Sequence, residues 1–138
     1  EARSRVTTGI MTGTSFLTGD DLSSPAGNYD EARERINTLL GNPDIVAVAK
    51  LGKPFRPIEV KPGRVCSDKY VLESGDKIYV ALFNLSGEKS TVSADVSGYG
   101  ISDCTGRELW RNTMVQAEGG NVSFELDPHD SAVIKLGR

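Results

Sequence analysis

The chain has 138 residues, of which 38% are hydrophobic and 25% charged, and its formal net charge is −3. These values are typical of an ordinary globular protein made of one medium-sized domain, or of a small domain with part of another. The slight acidic excess provides no basic face for nucleic acid, and no apolar run approaches the roughly 18 to 20 residues of a membrane-spanning helix. We therefore expect neither a nucleic-acid nor a membrane partner, and the composition does not indicate a cellular compartment.

The sequence carries no recognisable motif for a cofactor or a metal. Its two cysteines, Cys66 and Cys104, belong to no Cys-x-x-Cys or Cys/His ligand spacing. The glycines at 9, 13 and 19 are too loosely spaced for a phosphate-binding loop. One disulfide stays open as an alternative, but two free thiols are favoured. We expect no cofactor and no metal.

The first 52 residues have the pattern of an α/β segment. Apolar side chains recur along residues 29–40 at the spacing of one helical face, and Asn28 is placed to cap that helix. Three shorter elements accompany the helix: the last turns of another helix at 6–11, a strand at 15–18, and a helix or strand at 43–50. Because a single short strand cannot form a sheet, this segment is predicted to be the end of a larger α/β domain.

The sequence pattern changes beyond residue 52, from a helical spacing of apolar residues to a proline-rich segment followed by strand-like patterns. Residues 53–66 contain three prolines, which favours a connector or an edge strand. Residues 77–85 are apolar on both faces and so predict a central strand. Short strands at a spacing of roughly 8 to 12 residues predict an antiparallel β-sandwich over residues 67–138, with no helix. The strand candidates are 69–73, 77–85, 91–96, 101–104, 107–110, 122–126 and 132–136.

Five short motifs follow one another along the chain: GTSFLTGDDL at 13–22, LLGNPDIVAV at 39–48, VALFN at 80–84, RELW at 107–110 and DPHDS at 127–131. In this order they resemble the C-terminal end of the α-galactosidase, or melibiase-like, glycoside hydrolases. The resemblance covers nearly the whole chain. It implies the end of a (β/α)8 barrel over residues 1–52, a linker over 53–66 and a C-terminal antiparallel β-sandwich over 67–138.

The resemblance also has implications for activity. Retaining glycosidases use two carboxyl groups about 5 to 5.5 Å apart, and in this family both are aspartates from earlier barrel strands, which are not in this chain. We therefore expect a parent protein that hydrolyses glycosides, and an isolated chain that is inactive and holds no catalytic residue. The partner implied is the remainder of the barrel, or another copy of the chain, through the apolar faces of residues 1–52. The sugar and its linkage do not follow, because the family includes enzymes for several sugars.

Asp20 and Asp21 are the candidate substrate-binding residues. They follow the predicted strand at 15–18, and the resemblance places them at the carboxyl-terminal rim of the barrel, where barrel enzymes have their sites. Neighbouring side chains on extended backbone point to opposite sides, so at most one of the two faces a given pocket. One of them could orient sugar hydroxyls. The alternative, and the commoner role for Asp in such a loop, is a turn or a helix cap.

Four other residues have structural interpretations that are favoured over functional ones. His129, the only histidine, lies in a turn and is expected in solvent rather than in a catalytic triad. Trp110, the only tryptophan, is expected to pack in a core or interface rather than to stack on a sugar. Asn84 and Asn121 match the N-glycosylation tripeptide, which is common by chance.

An alternative function stays open at this point: an autonomous β-sandwich that binds carbohydrate or mediates adhesion, with residues 1–52 as an appended helical arm. An exposed row of aromatic side chains on the sandwich would favour it. A barrel-derived strand and helix over residues 1–52 would favour the hydrolase.

Overall fold

Helices precede strands in the computed structural model, which describes residues 1–13, 29–63 and 66–138. No helix among these residues has the length and apolar character needed to cross a membrane. The elements of the described residues are α1 (Ala2–Met11), α2 (Tyr29–Leu39), α3 (Pro43–Ala49), β1 (Arg56–Pro57), β2 (Lys69–Ser74), β3 (Lys77–Phe83), β4 (Ser90–Asp95), a short 3₁₀ turn (Ser97–Tyr99), β5 (Cys104–Glu108), β6 (Thr113–Glu118), β7 (Asn121–Leu126) and β8 (Ser131–Gly137).

The strands form one antiparallel sheet in the order β1-β2-β3-β8-β5-β6-β7-β4. The sheet curls over, so that Val80 and Ile134 from one half share a hydrophobic core with Val115 and Val122 from the other. Where β5 pairs with β8, a Cβ on Gly106 would lie 2.3 Å from a methyl carbon of Leu136 and 2.6 Å from the Lys135 carbonyl oxygen, so only glycine allows the two strands to lie this close. The predicted mainly-β fold, an antiparallel β-sandwich, is confirmed.

Strand β3 is buried on both faces, as its sequence predicted. On one face Ile78, Val80 and Leu82 point into the sandwich core. On the other face Ala81 and Phe83 belong to a second hydrophobic cluster, which the N-terminal helices cover. A strand between two cores has no solvent-facing side, which explains why its sequence lacks polar alternation.

Helices α1 and α3 supply the cover over that second cluster. Val6 and Ile10 of α1 and Ile45 of α3 are buried there, against Val133 of β8. The end of α1 is also fixed to the connector, because the backbone N–H of Phe55 donates to the carbonyl of Met11 at 2.9 Å. The helical segment and the sandwich are thus joined by a shared apolar core.

The residues at the start of α3 explain why the segment at 43–50, whose periodicity fits either a helix or a strand, forms a helix. Asn42 is its N-cap: the side-chain Oδ1 accepts from the backbone N–H groups of Asp44 at 3.0 Å and Ile45 at 3.1 Å. Pro43 occupies the first helical position, where a missing N–H is harmless. The segment predicted as a helix or a strand is therefore a helix.

Several sequence-based boundaries differ from the structure. The candidates at 101–104 and 107–110 are wrong as separate strands, since a single strand, β5 (Cys104–Glu108), overlaps both. Strand β6 was not predicted, because only Val115 and Ala117 of its residues turn inward. The connector contributes the two-residue edge strand β1, paired with β2. The strand predicted at 15–18 and the cap Asn28 lie outside the described residues, and the division at residues 52 and 66 stays a prediction.

Candidate functional site at the helix–sandwich junction

Buried polar side chains gather where α1 meets the adjacent ends of β5 and β8. Thr7, Glu108 and Ser131 are fully buried, and Asp130 is 7% exposed. Burying such groups is unfavourable unless each finds hydrogen-bond partners. We call this cluster, together with Arg3, Trp110 and Arg111, the junction network.

Glu108 ends β5 and organises the turn that follows. Its Oε1 accepts hydrogen bonds from the backbone N–H groups of Trp110 and Val133, both at 3.1 Å. Its Oε2 accepts from the backbone N–H of Arg111 at 2.7 Å and lies 3.3 Å from the Arg111 guanidinium. A carboxylate with three backbone donors and one cation is held in a fixed orientation, as expected of a structural group.

Arg111 connects this carboxylate to a second one. Its Nη2 donates to Asp130 Oδ2 at 2.6 Å, and its Nη1 lies 3.3 Å from the Ser131 carbonyl. The guanidinium also lies 5.1 Å from the centroid of the Phe124 ring, within cation–π range. Arg111 therefore joins the end of β5, the end of β7 and the start of β8.

Helix α1 is attached to the same network through Asp130 and through hydroxyl groups. Arg3 Nη1 donates to Asp130 Oδ2 at 2.5 Å. Trp110 Nε1 donates to Thr7 Oγ1 at 3.0 Å, and the hydroxyls of Thr7 and Ser131 are 2.9 Å apart. Since α1 contributes Arg3 and Thr7, the polar contacts hold the helix in one position over the apolar contacts beneath it.

A further ion pair attaches α3 to the sandwich. Arg107 of β5 donates to Asp44 Oδ1 at 2.6 Å, and both side chains are partly exposed. Asn42 adds a hydrogen bond from its Nδ2 to the carbonyl of Leu109 at 3.1 Å. Solvent-exposed pairs contribute little to stability, so the Asn42 contact carries more of this attachment.

The residues that the sequence singled out are distributed as follows. Trp110 is partly buried against the helices, which confirms the packing interpretation. His129 is exposed in its turn with a φ of 54°, and its backbone carbonyl accepts from Ser4 Oγ at 2.7 Å. The carboxylate of its neighbour Asp130 is occupied by Arg3 and Arg111. Asp20 and Asp21 lie outside the described residues, so their proposed role stays a prediction.

Asn84 has a structural role that the glycosylation motif did not suggest. It is 3% exposed, and its Nδ2 lies 2.7 to 3.1 Å from the backbone carbonyls of Glu88, Leu126 and Asp127. The amide nitrogen that a glycan would modify is thus engaged in joining two turns. The other candidate, Asn121, is exposed.

Both cysteines are free thiols, as favoured from the sequence. Burial, with the negative charge of Asp103, raises the pKa of the Cys104 thiol, which favours its protonated form. Within the described part of the chain, no group of three His, Cys, Asp or Glu side chains is arranged to hold a metal ion.

Sequence reasoning did not identify Glu108, Arg111 and Asp130 as a unit. Glu108 and Asp130 were noted only as members of the RELW and DPHDS motifs, for the order of those motifs along the chain, and Arg111 lies just outside the first of them. The junction network has the features of a fixed attachment between the N-terminal helices and the sandwich.

Comparison with known proteins identifies the sandwich. Residues 71–136 match the family model described as the alpha galactosidase C-terminal beta sandwich domain. An alpha-galactosidase of Coffea arabica is 29% identical in an alignment 109 residues long, which covers 71% of this chain and 27% of that protein. One of Cyamopsis tetragonoloba is 30% identical in an alignment 102 residues long, which covers 66% of this chain and 23% of that protein. The matched part of the chain spans about a quarter of the length of these relatives.

Solved structures show the same fold over nearly the whole chain. Alpha-galactosidase I from Mortierella vinacea superposes with a TM-score of 0.72 at 15% identity, covering 97% of this chain and 34% of that protein. A GH27 β-L-arabinopyranosidase from Geobacillus stearothermophilus gives 0.72 at 23% identity, covering 99% of this chain and 29% of that protein. The likeness extends beyond the sandwich to the N-terminal helices.

Proposed function

Since the chain carries, over residues 71–136, the C-terminal β-sandwich of the α-galactosidase-type glycoside hydrolases, we propose that it is the C-terminal part of a retaining glycoside hydrolase. In this proposal residues 1–52 end a (β/α)8 barrel and the sandwich stabilises that barrel. The catalytic residues lie in the rest of the whole protein.

The junction network carries the proposal. A sandwich that binds carbohydrate independently has no need to fix a pair of helices with a second apolar core and a network of buried polar side chains. Here α1 is attached by Arg3 and Thr7, and α3 by Asn42. Such an attachment fixes the helices, and in this proposal the barrel that they end, in one position relative to the sandwich.

The two buried carboxylates of the junction network support placing the chemistry elsewhere. A retaining mechanism needs one carboxylate free to attack the anomeric carbon and one acid free to protonate the leaving oxygen. Glu108 and Asp130, which are close to one another through Arg111, are both saturated with hydrogen bonds from arginine and backbone groups. We assign them no role in catalysis.

The independent carbohydrate-binding module is less well supported. It calls for exposed aromatic rings, on which the C–H faces of a sugar can stack. Among the residues that the structure describes, the exposed large hydrophobic side chains are aliphatic or thioether: Val60, Leu85 and Met114.

The direct test is an activity assay of the 138-residue chain with p-nitrophenyl α-galactoside and p-nitrophenyl β-L-arabinopyranoside. We expect release of nitrophenol at the rate of the buffer blank, with coffee α-galactosidase as the positive control. Turnover above the blank would show that a catalytic pair is present and would overturn the proposal.

A second test concerns the proposed partner, the remainder of the barrel. The apolar side chains of α1 and α3 already pack on the sandwich, so the proposed contact uses other parts of residues 1–52. With the remainder of the barrel added as a separate chain, light scattering should show a mixed complex larger than the 138-residue chain alone. A stable monomer that ignores the barrel chain would argue against the assignment.

A further inference from the structure

The curled sheet is open along one side. β1 and β4 are the first and last strands in its order, so among the described residues neither has a neighbour in the ladder on its outer side. An open groove of about 440 Å³ runs along this side, lined by residues 90–93 of β4 and by Lys61, Lys69 and Phe83. We call this side the seam.

One side chain crosses the seam. Glu59 follows β1, and its Oε1 accepts a hydrogen bond from the backbone N–H of Asp95, at the end of β4, at 2.6 Å. Its Oε2 accepts from the ammonium of Lys69 in β2. The same carboxylate therefore contacts strands from both sides of the opening.

The backbone of Glu59 is held in an unusual conformation. Its φ is 48°, in the left-handed region that non-glycine residues adopt only when neighbouring contacts impose it. Those contacts include the backbone N–H of Ile58, which donates to the Lys69 carbonyl at 3.0 Å, and the Ser67 hydroxyl, which donates to the Ile58 carbonyl at 2.9 Å. The turn is built so that this carboxylate is aimed across the seam.

Lys69 depends on that carboxylate. Its side chain is only 10% exposed, and it lies on the same face of β2 as Val71, which is in the sandwich core. An ammonium in this position is unfavourable without a counter-charge. The charged groups around Glu59 are Lys69, which attracts it, and Asp95, which repels it.

The strand that Glu59 contacts has an exposed edge. Because hydrogen-bonding direction alternates along a strand, the N–H groups of Thr91 and Ser93 point away from β7, as that of Asp95 does. Exposed edges of this kind pair readily with other chains unless something covers them.

We propose that Glu59 is a latch that closes the seam: it joins β2 to the free edge of β4, keeps the ammonium of Lys69 paired, and holds β4 away from other strands. The latch is a conformational device of the sandwich itself, and it does not depend on the enzymatic assignment.

Amide hydrogen exchange measured by NMR on the 138-residue chain tests the latch at its point of contact. In Glu59→Ala we expect exchange at Asp95 to rise by about tenfold or more, since its N–H loses its acceptor. The matched control is Glu88→Ala, an exposed glutamate in the turn before β4, in which exchange at Asp95 should stay within about twofold. Unchanged exchange at Asp95 in Glu59→Ala would overturn the proposal.

The Lys69→Met background separates a latch from a general loss of stability. Methionine needs no counter-charge, so Glu59→Ala should shift the urea midpoint less in this background than in the wild-type background. Equal shifts in the two backgrounds would refute the pairing with Lys69. If Glu59→Ala does not fold, Glu59→Gly removes the same contact with less backbone strain. Unchanged exchange at Asp95, or equal midpoint shifts in the two backgrounds, would then overturn the proposal in the same way.

Discussion

Glu108 accepts a hydrogen bond from the backbone N–H of Val133 at 3.1 Å, so a buried side chain continues the pairing at the point where β5 leaves β8. The backbone pairing ends there, with Leu109 N–H donating to the Val133 carbonyl at 2.8 Å. A carboxylate that replaces a missing backbone acceptor fixes where a strand ends. It also makes the fold depend on a single side chain.

Glu108→Ala should lower the free energy of unfolding by about 3 kcal/mol, because it leaves buried donors without an acceptor and the Arg111 guanidinium without one of its two carboxylates. Urea denaturation of the chain measures the loss. Glu118→Ala, at an exposed position of β6, is the control and should change stability by less than about 0.5 kcal/mol. Equal losses in the two variants would show that the Glu108 contacts contribute no net stability.

Thr7→Val should destabilise the chain by about 1 to 2 kcal/mol relative to Thr8→Val. Both changes replace a hydroxyl with a methyl group in α1, but Thr7 is fully buried between Trp110 and Ser131, whereas Thr8 is exposed and bonds only within the helix.

Because Trp110 is the only tryptophan, its fluorescence reports on the same contact. We expect a change in its emission in Thr7→Val and none in Thr8→Val. Identical emission and stability in the two variants would mean that apolar contacts alone hold α1 to the sandwich.

Most of the strands and helices could be predicted from the sequence because each of them is marked by a local pattern of apolar residues. The double apolar face of β3, the alternation in β4 and β7, and the helical stripe of α2 each lie within a dozen residues. Strand β6 escaped prediction because Met114 points outward, 69% exposed, and disturbs the alternation around its two inward residues.

The junction network could not be predicted in the same way. Arg3 and Asp130 are 127 positions apart, and Thr7 and Trp110 are 103 apart. Arg, Asp and Thr are all common on surfaces, so nothing in the sequence distinguishes a partly buried ion pair from two solvated charges. For Asp20 and Asp21 the prediction rests on the family resemblance alone.

Asn42→Ala should lower stability by about 1 to 2 kcal/mol, because Asn42 both caps α3 and donates to the Leu109 carbonyl. Asn37→Ala, at an exposed position within α2, is the control, and we expect it to be neutral or slightly stabilising because alanine favours helices. Urea denaturation again measures both. A neutral Asn42→Ala would mean that α3 is held by its apolar side chains and the Arg107–Asp44 pair.

The stability that Glu59 contributes should depend on pH in a defined direction. Partial burial raises the pKa of its carboxyl, but hydrogen bonds from Lys69 and from the Asp95 N–H, with the charge of Lys69, outweigh burial and hold the pKa below its ordinary value of 4.5. Because the folded state binds this proton less tightly than the unfolded state, the contribution is complete above pH 4.5 and is lost as the pH falls through the lowered pKa.

The comparison that isolates this effect is wild type against Glu59→Gln, with urea midpoints measured from pH 7 down to pH 3. Other acidic groups titrate equally in both proteins, so their difference reports on Glu59. We expect wild type to be the more stable at pH 7, and the difference to shrink as the pH falls below 4.5. A constant difference would mean that the ionised carboxylate is not what holds Lys69 and Asp95. A difference that widens in acid would mean that folding raises the pKa of Glu59.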